Sequence, residues 1–195
     1  MDALCVGVCA FLLYILYDVN SVLWRWPLLR GCFAAGCALL LAATGLDVYR
    51  ALPAVNLLRP GPLMCLVMAA ASLILLVYTL FFALPFQETY RQETYRQETE
   101  ERRVCDQGMY ALCRHPGVWW LFTLYLFLGL ALTPSPLLRH GMVYSICDLV
   151  YVIVQDLWTF PRTFSDYGSY QKMTPFLLPT PASVRRALGG GVRRN

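Results

Sequence analysis

Arg114, His115 and Pro116 stand in consecutive positions of the segment Ala111–Gly117, where a charged stretch runs into an apolar one. Proline suits a first helical turn, because the N–H it lacks is not needed there, and the remaining N–H groups of such a turn attract anions. Arg114 and His115 beside that turn would make an anion site at a membrane surface, where a charged cofactor meets a lipid-borne substrate. Alternatively, the two side chains only anchor the helix among the headgroups, as basic residues near membrane helices commonly do.

A second constellation lies some forty residues on. Tyr144, Asp148, Tyr151, Gln155 and Trp158 recur at steps of four, three, four and three, which is one face of a helix. Asp156 falls on the flank of that face, about 80° from Asp148 by the 3.6-residue period. An acid at the centre of an isolated membrane helix costs ~2.5–3.5 kcal/mol, so a helix with two should turn them toward a polar interior. Asp148, the deeper one, fits a structural hydrogen-bonding seam between helices. Asp156, near the helix end and level with Arg114, fits a functional site. Beyond Phe160, Tyr167 and Tyr170 share one helical turn, and Pro175, Pro179 and Pro181 bound an apolar stretch. That pattern predicts a cytoplasmic helix folded back over the membrane mouth.

The elements that must position these residues are membrane spans. Of 195 residues, 58% are hydrophobic and 14% charged, too few charges to cover a soluble domain of this size. Five nearly uncharged runs, 3–17, 28–46, 62–86, 117–138 and 142–160, approach the ~20 residues that cross a bilayer. The first is short unless it continues past Asp18 to Trp24. It does not read as a signal peptide, since Asp2 stands where lysine or arginine would be and no small-residue cleavage site follows. The fold expected is all-α and polytopic, with about five transmembrane helices in one domain, 1–181, and a disordered basic tail, 182–195.

With five spans, all of the 16 Lys and Arg residues except Arg50, Arg59 and Arg139 fall on one side. That side should be cytoplasmic, with the N-terminus outside. The net charge of +4 expresses this asymmetry. No basic stripe with interleaved aromatics points to nucleic acid.

None of the eight cysteines forms a C-x-x-C pair, and most lie in apolar runs, so neither a disulfide framework nor a metal site is expected. The cysteines read as small apolar helix residues, structurally inert as most are; Cys113 stands apart because it precedes Arg114, a cation able to lower its pKa. Gln87–Arg103 carries a five-residue repeat, QETYR, read as a charged spacer or as a partner-binding arm. Asp106–Gly108 is a turn signal that redirects the chain toward Arg114.

Taken together, the two constellations resemble the integral-membrane methyltransferases of the isoprenylcysteine carboxyl methyltransferase and phospholipid N-methyltransferase group. That pattern opens with R-H-P-x-Y-x-G, followed about forty residues later by two glutamates, an F-G, two tyrosines three apart and a proline. Here Arg114, His115 and Pro116 supply the opening, Gln155 and Asp156 fall on the acidic pair, and Tyr167, Tyr170 and Pro175 keep the later offsets. The likeness covers 108–179. Val118 and Trp120 replace the motif's tyrosine and glycine, Gln155 its first glutamate, and Thr163 and Phe164 its F-G.

The resemblance implies S-adenosylmethionine bound at the cytoplasmic face and a lipid or lipid-linked methyl acceptor. Arg114, His115, Pro116 and Gly117 would hold the cofactor's carboxylate or ribose. Gln155 and Asp156 would bind its polar groups or orient the acceptor, with Arg114 and Asp156 carrying the catalysis. Trp119, Tyr167 or Tyr170 would face the sulfonium, a cation attracted to ring faces. An amine acceptor would need a base, for which Asp156 is the candidate. Membrane sterol reductases carry a similar R-H-P segment, in which Arg114 would grip the 2′-phosphate of NADPH, but asparagine and tyrosine usually follow there in place of Gly117 and Val118. A scaffold with a structural polar seam is the non-enzymatic alternative.

Overall fold

The computed structural model describes residues 2–55, 59–82, 103–133 and 135–189. Among these every regular element is helical. Helix α1 (Ala3–Val19) runs on through a π-helical turn, Asn20–Trp24, and a short 3-10 turn at Pro27–Gly31 leads into α2 (Cys32–Ala51). Helix α3 (Pro60–Val77) also ends in a π turn, Tyr78–Phe82. Then come the single turn α4 (Met109–Leu112), α5 (Gly117–Ala131) and α6 (Leu137–Val154). Helix α6 continues through a third π turn, Gln155–Thr159, into a last turn, Phe160–Thr163. Two short helices close the chain, α7 (Tyr167–Met173) and α8 (Pro181–Leu188).

Four of these are long and apolar enough to cross a membrane: Ala3–Trp24, Pro27–Ala51, Pro60–Phe82 and Leu137–Thr163. The first span does continue past Asp18 to Trp24. The fourth expected run, 117–138, is a shorter helix. Helix α5 has 15 residues, about 22 Å at 1.5 Å per residue, less than the ~30 Å hydrocarbon core. Proline punctuates the bundle, standing in the first turn of α3 and α8 and at the N-cap of α5 and α6, where its missing N–H is harmless.

Helix α3 packs on α5, α5 on α6, α6 on α1 and α1 on α2. Close approach is made by glycine. A Cβ on Gly141 would lie 2.4 Å from Tyr125, and one on Gly7 2.2 Å from the Tyr144 ring. Small residues that let helices approach are the usual device of membrane bundles. The turn between α1 and α2 is held by Asn20, whose Nδ2 donates to the Trp26 carbonyl (3.1 Å) while its Oδ1 accepts from the Trp26 N–H (2.8 Å). The QETYR repeat lies outside the described residues except for Arg103. Of the tail expected to be disordered, 182–188 belongs to the helix Pro181–Leu188, opened by a Thr180–Ser183 capping box, and 190–195 lie outside the described residues.

Candidate functional site

The turn signal Asp106–Gly108 is a turn in the structure, with Gly108 at φ 58°, a left-handed angle that glycine adopts without strain. It leads through α4 to Arg114, which lies on the link between α4 and α5. From there Arg114 meets Asp156 in the π turn of α6, 42 residues on. Its Nε donates to Asp156 Oδ1 (2.7 Å) and its Nη2 to Oδ2 (3.0 Å), a two-pronged pair whose side chains are 12% and 6% exposed.

The remaining bonds close a knot around this pair. His115 Nε2 lies 3.3 Å from Asp156 Oδ1 and Tyr167 Oη donates to the same oxygen at 2.6 Å. Gln171 Nε2 donates to Asp156 Oδ2 (3.3 Å) and to its backbone carbonyl (3.0 Å). Arg114 Nη1 donates to the carbonyls of Gln171 (3.0 Å) and Thr174 (2.7 Å). Four of the five guanidinium hydrogens are thereby engaged.

A strap from Thr174 to Thr180 lies across the entry to α5. The Arg114 and His115 N–H groups donate to the carbonyls of Pro175 (2.9 Å) and Phe176 (3.3 Å), and Trp119 Nε1 to that of Leu177 (2.9 Å). The Phe176 ring sits 5.6 Å from the guanidinium carbon, within cation–π range. His115 stacks on Phe160 (5.8 Å) and meets Phe176 edge-on (5.1 Å).

Burial pushes the His115 pKa down, against the opposing pull of Asp156, so the imidazole is neutral and must carry its proton on Nε2 to donate to the carboxylate. Burial raises the Tyr167 pKa, and the Asp156 carboxylate raises it further, so its hydroxyl remains a donor. The same effect decides Cys113. The expected lowering by Arg114 is not found, because burial pushes the thiol up to about 11. That makes it a poor nucleophile.

Of the residues singled out in the sequence, the structure brings Arg114, His115, Asp156 and Tyr167 together. Tyr170 faces α4, donating from Oη to the Tyr110 carbonyl (2.7 Å). Gln155 turns away, and its Nε2 donates to Tyr151 Oη (2.8 Å) along the seam of α6. Pro116 is the N-cap of α5 and Gly117 its first residue. The first turn is less open to an anion than expected, since the Val118 and Trp119 N–H groups already donate to the carbonyls of His115 (3.4 Å) and Pro116 (3.2 Å).

Gln171 and the strap carbonyls, central to the knot, carried no sequence signal, because backbone acceptors have none. A further pair escaped the sequence reading. His140 Nδ1 lies 2.7 Å from Asp47 Oδ2 at the opposite end of the bundle, both side chains buried. Trimming the second run at Leu46 and starting the fifth at Met142 left both residues just outside the apolar spans.

The donors gathered here, a guanidinium, an imidazole, a phenol and an amide, all converge on one carboxylate of the chain itself. Among the described residues, Thr174 Oγ1, on the residue whose carbonyl accepts from Arg114, is buried without a partner. No metal-binding group of three or more His, Cys, Asp or Glu occurs among the described residues. Comparison with protein-family models, with curated proteins and with solved structures finds no match. What this end of the chain can do therefore rests on its own geometry.

Proposed function

We propose that the protein is an integral-membrane S-adenosylmethionine-dependent methyltransferase acting on a lipid or lipid-linked acceptor at the cytoplasmic face. The observation that carries this reading is the Arg114–Asp156 pair: two sequence blocks 42 residues apart, each resembling half of one motif, meet at bonding distance. The concentration of Lys and Arg on the same side supports a cytoplasmic site, with the N-terminus outside.

Bound S-adenosylmethionine would supply an already activated methyl group, leaving the protein to align donor and acceptor and to exclude water. Arg114 would hold the carboxylate through its Nη1 and Nη2 hydrogens, which requires the Gln171 and Thr174 carbonyls to give up their bonds. Binding is therefore coupled to lifting of the strap. His115 would turn its Nε2–H from Asp156 to a ribose hydroxyl, giving up that 3.3 Å bond, and the Tyr167 ring would present its face to the sulfonium. Asp156 is the binding and orienting residue here rather than the base. Its two oxygens already accept five hydrogen bonds, and taking a proton would break the pair that positions Arg114.

The completeness of the knot favours a second reading, a scaffold in which Arg114–Asp156 only fastens the strap. Thermal-shift titration of detergent-purified protein separates the two. The methyltransferase reading expects S-adenosylhomocysteine to raise the midpoint and NADPH to leave it unchanged. Stabilisation by NADPH alone would identify a reductase, and no response to either would leave the scaffold.

A further inference from the structure

After Asp166 the chain contains no acidic residue, while Lys172, Arg185, Arg186, Arg193 and Arg194 are basic. Helix α8 stands in the middle of this stretch. Pro181, Val184, Arg185 and Leu188 recur at helical spacing and are all exposed, Leu188 at 83%. Leu178, just before the helix, is 68% exposed. The opposite side is anchored: Ser183 is fully buried, Arg186 donates to the Met173 carbonyl, and the helix packs on α4.

Its height relative to the membrane follows from the strap. The Leu177 carbonyl accepts from Trp119 in the first turn of α5, so α8 begins level with the mouth of an apolar helix. Trp24 and Trp26, stacked at 5.8 Å and both exposed at the junction of α1 and α2, are the aromatic residues expected at a headgroup layer. A short helix with an apolar edge and arginines, in a stretch of sequence without acidic residues after Asp166, suits anionic lipid headgroups and the first acyl carbons beneath them.

We propose that α8 docks onto anionic lipid through Arg185 and the Val184–Leu188 edge, and that this docking holds the strap closed over the Arg114–Asp156 knot. The coupling is mechanical. Arg186 ties α8 to the end of α7, and the strap whose carbonyls accept from Arg114 and His115 spans the interval between the two helices. The inference requires only that the chain spans a membrane, and it stands or falls independently of methyl transfer.

The test is amide hydrogen exchange on the full-length protein in nanodiscs of phosphatidylcholine alone and with about one-third phosphatidylserine. In the anionic discs, exchange over Val184–Leu188 should slow roughly fivefold or more, the worth of one arginine at such a surface. The Arg114 and His115 amides should slow with it, and high salt should erase both effects. Arg185→Gln, which touches no bond of the knot, should abolish the lipid dependence while leaving exchange in phosphatidylcholine unchanged. Equal exchange in the two lipids would overturn the docking. Slowing of α8 with no change at Arg114 and His115 would overturn the coupling.

Discussion

Two carboxylates, each beside a histidine, are buried at opposite ends of this bundle, and they are built on different plans. Asp156 receives bonds from Arg114, His115, Tyr167 and Gln171, so one carboxylate gathers the α4–α5 link, α6 and α7. Asp47 meets His140 in a single 2.7 Å contact between α2 and α6. Asp47 Oδ1 and His140 Nε2 are buried without a partner among the described residues. A buried charge is tolerable when every lone pair and proton is met, and costly otherwise. The Arg114 end satisfies that condition and the His140 end only half satisfies it. The first is a junction that holds a chain segment in place, whereas the second is one bolt between two helices.

Removing the acid at each end should expose the difference. Asp156→Ala leaves Arg114 buried with no counter-charge and should cost about 3–5 kcal/mol, the usual penalty for breaking a buried pair. Asp47→Ala should cost less, since only one contact is lost. Replacing both partners sharpens the contrast. Asp47→Leu with His140→Leu should return stability to the parent value or above it, because apolar residues of similar size often match or better a buried pair. Arg114→Met with Asp156→Leu should not recover, because the Gln171 and Thr174 carbonyls would lose their donor. Denaturant titration in a single detergent reads all four, and recovery of the Arg114 double variant would show that the knot is no more than a pair.

Much of the Arg114 end was legible beforehand, and what was not has a physical cause. Arg114 and Asp156 were recognisable as ionisable residues at the ends of apolar runs, and Tyr167 by its helical spacing. Gln155 was placed beside Asp156 as a second ligand, yet it faces Tyr151. The 3.6-residue period already puts Gln155 on one face with Tyr151 and Asp156 on its flank, and the Gln155–Tyr151 bond follows it; the ligand role comes from the motif's offsets alone, which do not say which way a side chain turns. Helix α5 proved short because an apolar run measures composition, not where the helix stops, and it stops at Ala131 ahead of Pro136, the N-cap of α6. A fold-back over the mouth was legible from Tyr167, Tyr170 and the prolines, but the strap's bonds to Arg114, His115 and Trp119 were not, since they are made by carbonyls.

The two histidines offer a test by pH. His115 has a folded pKa lowered by burial, so the unfolded chain binds its proton first as pH falls. Its contribution is therefore fully present above its ordinary value of about 6.5 and is lost as pH drops below that toward the folded pKa. The melting midpoint should fall between neutral pH and about pH 5.5. His115→Gln should flatten that slope while retaining a donor toward Asp156. If His140→Gln flattened it and His115→Gln did not, the acid-sensitive end would be the opposite one.

The smallest effect expected is at Arg162, which makes the comparison one of burial rather than residue type. Like Arg114 it belongs to the Arg114 end, pairs with an aromatic ring and donates to a carbonyl: its guanidinium lies 5.2 Å from the Trp158 ring and its Nη1 2.9 Å from the Trp158 oxygen. Unlike Arg114 it is exposed, and among the described residues it has no carboxylate partner. Exposed cation–π contacts are worth about 0.5–1 kcal/mol, and the carbonyl is left to solvent rather than orphaned when the donor goes. Arg162→Ala should therefore lower stability by no more than about 1 kcal/mol. It should also leave the Arg114 and His115 amides as protected as before, since none of their bonds passes through it. A loss comparable to that of Asp156→Ala would mean that this end depends on its cations in general, and the knot would lose its special standing.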